Sequence, residues 1–499
     1  MPQNDDPVLD LHEIQGDVLI GLQKNFQNFI FFRILDVPAF KAAMRGKVIS
    51  QITTTLQAHE RDLINQQRKK LGEKVIEPWL GLNVSFTKVG LTALLGDGRP
   101  QIIVQKNGQN DDRFELGAAD GTVIDALNDP SPTTWKSTFI SDTIDGVFFV
   151  TGPHEKFVKD ATRDLRTDLG GSVTAIHTEM GRVRPEAQRG HEHFGFLDGV
   201  SQPGIRGLTK RSNPKLEPNQ GLPGQDLIWP GEFVFGYPGQ HPTNPVERGP
   251  VPAAPNVPWL SNGSLMVFRR LVQLVPEFNT FVRGQADTLG MLPEQLASRM
   301  VGRWRSGAPL LLAPLQDNIA LGKDPALNND FEYASDPTQL ACPYAAHIRK
   351  TNPRDDPSQN KAGVQTHRII RAGIPFGPEV GPDETTATAM SISRGLMFVS
   401  YQTSIQQQFE FIQHSYANDV RFVSDKTRRG DGGRVAVMPG FDPIIGQAPG
   451  GGSRWMEVVS PVDNTPHKLD MPNPWVVLTA AAYLFVPSIT ALRTVLTDP

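Results

Sequence analysis

The sequence predicts an α+β protein built from a duplicated module, strands packed under helices. Three observations predict it. An apolar, β-prone run, Phe29-Ile30-Phe31-Phe32-Arg33-Ile34-Leu35, is followed by Pro38 and Phe40 in a helix-like stretch. Leu265-Met266-Val267-Phe268-Arg269-Arg270-Leu271, followed by Pro276 and Phe278, repeats that pattern. Each half then carries a second echo. Val147-Phe148-Phe149-Val150 leads into an amphipathic pattern from His154 to Leu165, and Met397-Phe398-Val399-Ser400-Tyr401 leads into one from Ser404 to Gln413. Short buried runs are strand signals, and the period of the segments after them is helical. Helices laid over strands in this way give an α+β architecture.

Between the halves, residues 203 to 258 contain twelve prolines. Proline removes a backbone donor and fixes φ, so this stretch excludes long helices and most central strands. The chain therefore divides into residues 1–205, a proline-rich connection over 206–260, and residues 261–499. Two further irregular regions follow. Lys350 to Pro382 is polar and proline-rich, and Lys426 to Ser453 holds Arg428-Arg429-Gly430-Asp431-Gly432-Gly433 and Gly450-Gly451-Gly452. Long loops in a compact chain are often functional.

Composition excludes several classes. Lys plus Arg is 49 against Asp plus Glu 53, a net charge of −4, so no basic excess points to nucleic acid or an anionic membrane. The one cysteine, Cys342, rules out an internal disulfide framework, a cysteine-based zinc site and a cysteine-ligated iron–sulfur cluster. The apolar run Trp475 to Val486 ends at Pro487 and is too short to span a bilayer. The opening Met1-Pro2-Gln3-Asn4-Asp5-Asp6 is acidic and leads into no apolar stretch of the signal-peptide kind.

Four segments could carry chemistry. In Gly195-Phe196-Leu197-Asp198-Gly199-Val200-Ser201-Gln202-Pro203, glycines near Asp198 suggest a tight turn that aims a carboxylate, or an Asx-turn that only caps its own loop. His191 and His193 just upstream have a spacing that could bind a metal, but with Glu192 as the one nearby acid they read as hydrogen-bonded loop residues. In Cys342-Pro343-Tyr344-Ala345-Ala346-His347-Ile348-Arg349-Lys350-Thr351-Asn352-Pro353-Arg354, small residues around His347 would allow close approach of something large and flat. A buried, satisfied histidine is the plain alternative. Arg349 and Arg354 would suit an anion such as a propionate. Arg371 precedes a Gly- and Pro-rich turn, as a site residue or an ordinary ion-pair arginine, and Gly395-Leu396-Met397-Phe398-Val399 reads as a core strand.

Together, in this chain order, the four segments resemble the dye-decolorizing peroxidases, as does the block Asp442-Pro443-Ile444-Ile445-Gly446-Gln447. The resemblance runs from about Asp10 to the C-terminus, and the long insertions look like the fungal branch. It implies two ferredoxin-like halves with antiparallel sheets and peripheral helices, and one haem b per chain held mainly by the C-terminal half. It implies His347 as axial ligand to the haem iron, Asp442 as the carboxylate behind it, and Arg349 for a haem propionate. Asp198 and Arg371 become the distal pair, the first moving a proton of hydrogen peroxide, the second stabilising charge as the O–O bond breaks. Leu396 and Phe398 would line the distal pocket and keep bulky donors out.

The expected activity is reduction of hydrogen peroxide with one-electron oxidation of bulky dyes, phenols and lignin-related aromatics, in an extracellular setting. A haem carrier on the same fold is the non-enzymatic alternative. A hydrolase using His191, Asp198 and His193 is the other. Phe376 stands where some fungal relatives carry Tyr, which moves any surface radical duty to another aromatic. Tyr416, where relatives often have Trp, is the candidate for surface electron transfer. Asp355-Asp356, and Asp330 with Glu332, are compositional candidates for Mn2+.

Overall fold

The computed structural model describes residues 6–72, 79–140, 143–197, 199–213, 215, 217–384, 392–423, 427–430, 433–461 and 464–498. Nine strands form one antiparallel sheet. The first half supplies β1 (Phe26–Ile34), β2 (Gly81–Phe86), β3 (Gly146–Gly152) and β4 (Val173–Arg182). The second supplies β5 (Ser264–Gln273), the short β6 (Ile370–Arg371) and β7 (Ile374–Phe376), β8 (Gly395–Gln402) and β9 (Val476–Val486). The order is β6-β8-β5-β9-β2-β3-β1-β4, with β7 also paired to β8.

Within each half the strands run fourth, first, third, second, the ferredoxin-like order. The two sequence echoes are the first and third strands of each half, β1 with β3 and β5 with β8. The halves join where Phe485 of β9 faces Phe86 of β2. At the far ends of the path, Gly181 of β4 lies against the other half. A Cβ there would fall 2.4 Å from Ile374 Cγ2 and 2.9 Å from Met397 Cε, so the two edges come together and the sheet rolls up.

A rolled sheet covered by helices buries both strand faces, which explains runs with no polar alternation. Every residue of β2 and β3 is buried. Inside, Phe268 of β5 lies 5.0 Å from Phe31 and 5.5 Å from Phe29 of β1, centroid to centroid. Each such pair adds about 0.5–1.5 kcal/mol beyond area burial and ties the halves together. Outside, the helix Glu155–Leu169 buries Val158, Thr162, Leu165 and Leu169, one stripe at helical spacing. The helix Val275–Ala286 follows β5 as the helix Val37–Ala43 follows β1. The helical run expected from Ser404 is wound as wide turns, Ile405–Glu410 and Ile412–Ala417, started by Ser404 Oγ accepting from Gln407 N at 3.1 Å.

In the proline-rich connection the described elements are short. Gly204–Ile205 pairs with Leu227–Ile228, and single turns occur at Pro230–Glu232 and Pro258–Leu260. A buried ion pair docks it. Lys106 Nζ donates to Glu232 Oε2 and to the Thr366 carbonyl, and Gln240 N donates to Glu232 Oε1 at 2.8 Å. One pair thus joins the first half, the connection and the segment leading to Arg371. Burial pushes the Lys106 ammonium down and the Glu232 carboxyl up, each opposed by the other's charge. Removing one member leaves the other charged, buried and alone. Lys106→Met should therefore cost about 3–5 kcal/mol in denaturant titration, and adding Glu232→Gln should recover much of it.

Candidate active site

A cavity with about 1900 Å³ of empty space, its open mouth included, lies against the second half of the sheet. Arg269, Leu271 and Gln273 of β5, Leu396 and Phe398 of β8, and Leu478 of β9 form its floor. Register explains this face. Leu396 pairs with Leu271, and Phe398 with Arg269, so side chains two apart on neighbouring strands point the same way. The loop Glu192–Ser201 from the first half closes one side.

His347 also lines the cavity. It opens the short helix His347–Thr351, behind Ala345 and Ala346, which are fully buried. An earlier helix, Pro293–Val301, approaches that one closely because it ends in Gly302 at φ +95, where a Cβ would meet Ile348 at 2.4 Å. His347 Nδ1 donates to Asp442 Oδ2 at 2.8 Å. Asp442 has no exposed surface, and its Oδ1 accepts from Ile444 N at 2.8 Å and Ile445 N at 3.0 Å. Burial alone would raise this carboxyl. The His347 charge, its hydrogen bond and the two backbone donors outweigh that and hold it below the usual carboxylate range. An anionic acceptor at Nδ1 fixes the proton there, which in the neutral imidazole puts the lone pair on Nε2.

Arg371 lies on β6, paired with Ser400 of β8, and lines the same cavity. Gln202 clamps its backbone. The Gln202 amide donates to the Arg371 carbonyl, and Arg371 N donates back to Gln202 Oε1 at 3.3 Å. Gln202 belongs to the segment that follows Asp198. Asp198 itself lies outside the described residues; Leu197 and Gly199 on either side of it line the cavity.

Three more arginines line the cavity beside Arg371. Arg303 donates to the Asn328 and Gly307 carbonyls and to Ser201 Oγ. Arg354 donates to the Phe331 carbonyl and Asn329 Oδ1, and Arg368 to the Ser201 carbonyl. Among the described residues these acceptors are neutral. Burial first, then Arg354, pushes Arg303 down to about 10; burial, opposed by the charge of Asp226, pushes Arg368 down to about 10. Guanidinium groups whose described hydrogen-bond acceptors are neutral suit a ligand carrying carboxylates. Arg303 and Arg368 carry no sequence signal; they meet only when the loops fold together.

Two expectations are corrected. Arg349 does not face the cavity. Residues two apart on a helix point about 200° away from each other, so Arg349 turns from His347 into the protein. It donates to Asp336 Oδ2 and Asp356 Oδ2, both at 3.0 Å, between the rings of Tyr333 and Tyr344. Arg354, five residues on, is the arginine of that segment that lines the cavity. Tyr416 is not a surface residue. It is 4% exposed, because the loop after its helical turn folds back and stacks Phe422 on it at 4.1 Å. A bulky dye cannot touch it.

The other candidates are also placed. Asp356 is held by Arg349, Glu332 is paired with Lys361 at 2.6 Å, and Asp355 Oδ1 accepts from Ala334 N. Among the described residues, no group of three or more His, Cys, Asp or Glu could hold a metal ion. His193 Nε2 bonds the Phe376 carbonyl at 2.8 Å, and burial followed by Arg184 pushes it down to about 4. His191 bonds the Arg189 and Arg305 carbonyls. Phe376 is buried under Arg270, whose guanidinium lies 4.1 Å from the ring centroid.

Two family models match the chain: the DyP dimeric alpha+beta barrel domain over residues 13–185, and the Dyp-type peroxidase C-terminal domain over residues 241–427. A dye-decolorizing peroxidase of Mycena epipterygia is 35% identical, the match covering 98% of this chain and 88% of that protein. The solved F194W mutant of the dye-decolorizing peroxidase from Pleurotus ostreatus is 35% identical at a TM-score of 0.82, covering 98% of this chain and 99% of that one. A dye-decolorizing peroxidase solved in complex with 2,6-dimethoxyphenol is 32% identical at a TM-score of 0.79, covering 98% of this chain and all of that one.

Because the folded-state value of Asp442 is depressed, its ionisation stabilises the fold above the unfolded carboxylate value of about 4. That contribution is lost as pH falls through the folded value. Denaturation at stepped pH should show the wild type losing more stability than Asp442→Asn between about pH 6 and pH 3.

Proposed function

The chain belongs to the dye-decolorizing peroxidase family and is a peroxidase, and from that premise we propose that its cavity binds one haem b, with His347 as the axial ligand. The observation that carries the reading is an imidazole held by a buried carboxylate, facing a cavity it shares with Arg371. The lining fits the cofactor. Apolar side chains such as Leu271, Ile444 and Ile445 suit a flat macrocycle, and Arg303, Arg354 and Arg368 suit its carboxylates. Bound haem supplies an iron that takes electrons from aromatic donors and passes them to hydrogen peroxide.

The side chains supply the rest. Asp442 raises the basicity of His347 and fixes its ring. Asp198 takes a proton from the incoming peroxide and returns it to the leaving oxygen. Arg371 stabilises the negative charge that develops as the O–O bond breaks. Gln202 holds the backbone of Arg371 in register with the Asp198 segment. Leu396 and Phe398 narrow the pocket, so small phenols enter and bulky dyes give up electrons at the protein surface. In this reading residues 1–205 bring the distal loop, residues 206–260 connect, and residues 261–499 hold most of the cofactor. An extracellular setting is part of the proposal and rests on the family resemblance. A haem carrier would have no use for a distal arginine so fixed.

Purified holoprotein should show a Soret band that changes on adding hydrogen peroxide. His347→Ala should bind haem weakly and lose turnover; full occupancy with an unchanged spectrum would place the ligand elsewhere. Stopped-flow mixing of Asp198→Asn or Arg371→Leu with peroxide should be slower, the arginine variant by about 10²-fold or more. A wild-type rate in either variant would remove that residue from its role.

A further inference from the structure

The chain has six tyrosines. Two donate their hydroxyls to carboxylates, Tyr401 to Asp17 Oδ2 at 2.6 Å and Tyr483 to Glu410 Oε1 at 2.9 Å. Tyr344 donates to the Pro337 carbonyl and Tyr237 to the Asn262 amide oxygen. Tyr333, beside the cavity, has no hydrogen-bond partner for its hydroxyl among the described residues. The distinction matters for redox chemistry. A phenol that loses an electron becomes a strong acid, so its oxidation needs a base already in hydrogen-bond contact. Carbonyl and amide oxygens are too weakly basic, whereas the carboxylates at Tyr401 and Tyr483 can take the proton.

The pleat of the sheet decides between them. Ala481 pairs with Arg269, and Tyr483, two residues on, pairs with Val267. Tyr483 therefore shares the sheet face of Arg269 and Phe398, the cavity floor. Tyr401 is three residues beyond Phe398 and points to the other face, toward Asp17. Glu410 directly follows Phe409, a cavity-lining ring that the Arg269 guanidinium covers at 5.4 Å. The phenol and its base thus stand directly behind the cavity wall.

Glu410 Oε2 accepts from Arg113 Nε at 2.8 Å, and Asp111, Asp129 and Arg269 lie around the pair. Burial raises the Glu410 carboxyl to about 7 despite Arg113 and the phenol, so its ionised form is a stronger base than an exposed carboxylate. Tyr483 is 3% exposed, which shields a radical there from solvent.

We infer that Tyr483 is a redox-active residue that stores one oxidising equivalent after the enzyme reacts with hydrogen peroxide. One electron leaves the phenol for the peroxide-oxidised haem. The O–H bond breaks and its proton moves to Glu410 Oε1. The products are a neutral phenoxyl radical and a neutral carboxylic acid. An aromatic donor later returns the electron, and Glu410 returns the proton. The inference rests on the haem-peroxidase reading above.

The test uses haem-loaded protein at about pH 8, where Glu410 is ionised. It is mixed with one equivalent of hydrogen peroxide, followed by absorbance, and freeze-quenched for electron paramagnetic resonance. No absorbance change would overturn the haem-peroxidase reading and this inference with it. With that change present, a tyrosyl signal is expected. Tyr483→Phe should lower it at least about tenfold, Glu410→Gln should lower it similarly with the phenol in place, and Tyr401→Phe should leave it. A wild-type protein without a tyrosyl signal, or an undiminished signal in Tyr483→Phe, overturns the inference. If Tyr483→Phe fails to bind haem, Glu410→Gln decides alone, and full radical yield there is the overturning result.

Discussion

A carboxylate with no exposed surface must find its charge a partner, and around Asp442 the cavity is built to provide one. Its two oxygens take His347 Nδ1 and the backbone N–H groups of Ile444 and Ile445. These bonds settle the tautomer of His347, the position of the loop that lines the cavity, and the direction of Nε2. Each is a consequence of one desolvated charge. The same constraint recurs nearby. Arg269 is pinned by Asp129 through both terminal nitrogens, at 2.9 and 2.5 Å, while its guanidinium forms part of the floor. Arg349 is spent on Asp336 and Asp356. Where the pattern breaks, at Arg303, Arg354 and Arg368, the hydrogen-bond acceptors among the described residues are neutral, which suits a ligand that brings its own charge.

The rolled sheet makes this arrangement affordable. Two copies of the same four-strand order meet at Phe86 and Phe485 and close again around Gly181. Aromatic packing of Phe29 and Phe31 on Phe268 gives a rigid interior that crosses the seam. The cavity-lining segments around Ser201 and His347 are more than 140 residues apart, yet they meet over strands whose register cannot slip without turning every buried side chain to the wrong face. The Lys106–Glu232 pair extends that fixity to the proline-rich connection, which has little secondary structure of its own.

Side chains of similar type have unlike settings here. Tyr333, Tyr401, Tyr416 and Tyr483 are all buried. Their chemistry differs through the atom each hydroxyl meets and the sheet face it occupies. The wide-wound run Ile405–Ala417 contributes to several of these settings at once, placing Phe409 and Gln413 at the cavity, Glu410 on Tyr483, and Tyr416 in an aromatic stack. An ordinary amphipathic helix would have left one face to solvent.

The duplicated α+β plan was legible because strand–helix pairs such as Phe29–Phe40 and Leu265–Phe278 repeat an apolar pattern that local chain physics reads directly. The short elements described within residues 203–258 were expected from proline alone. His347, Arg371, Leu396 and Phe398 were found in the sequence through short segments in a characteristic order, and the fold brings all four to one cavity. Which arginine near His347 faces that cavity was not legible. The choice between Arg349 and Arg354 turns on helix phase and on acids distant in sequence. Nor could the sequence say that Tyr416 is covered by Phe422, or that Arg303 and Arg368 join Arg371. Local pattern fixes what each segment is; burial, charge pairing and facing depend on which segments meet, and only the closed sheet decides that.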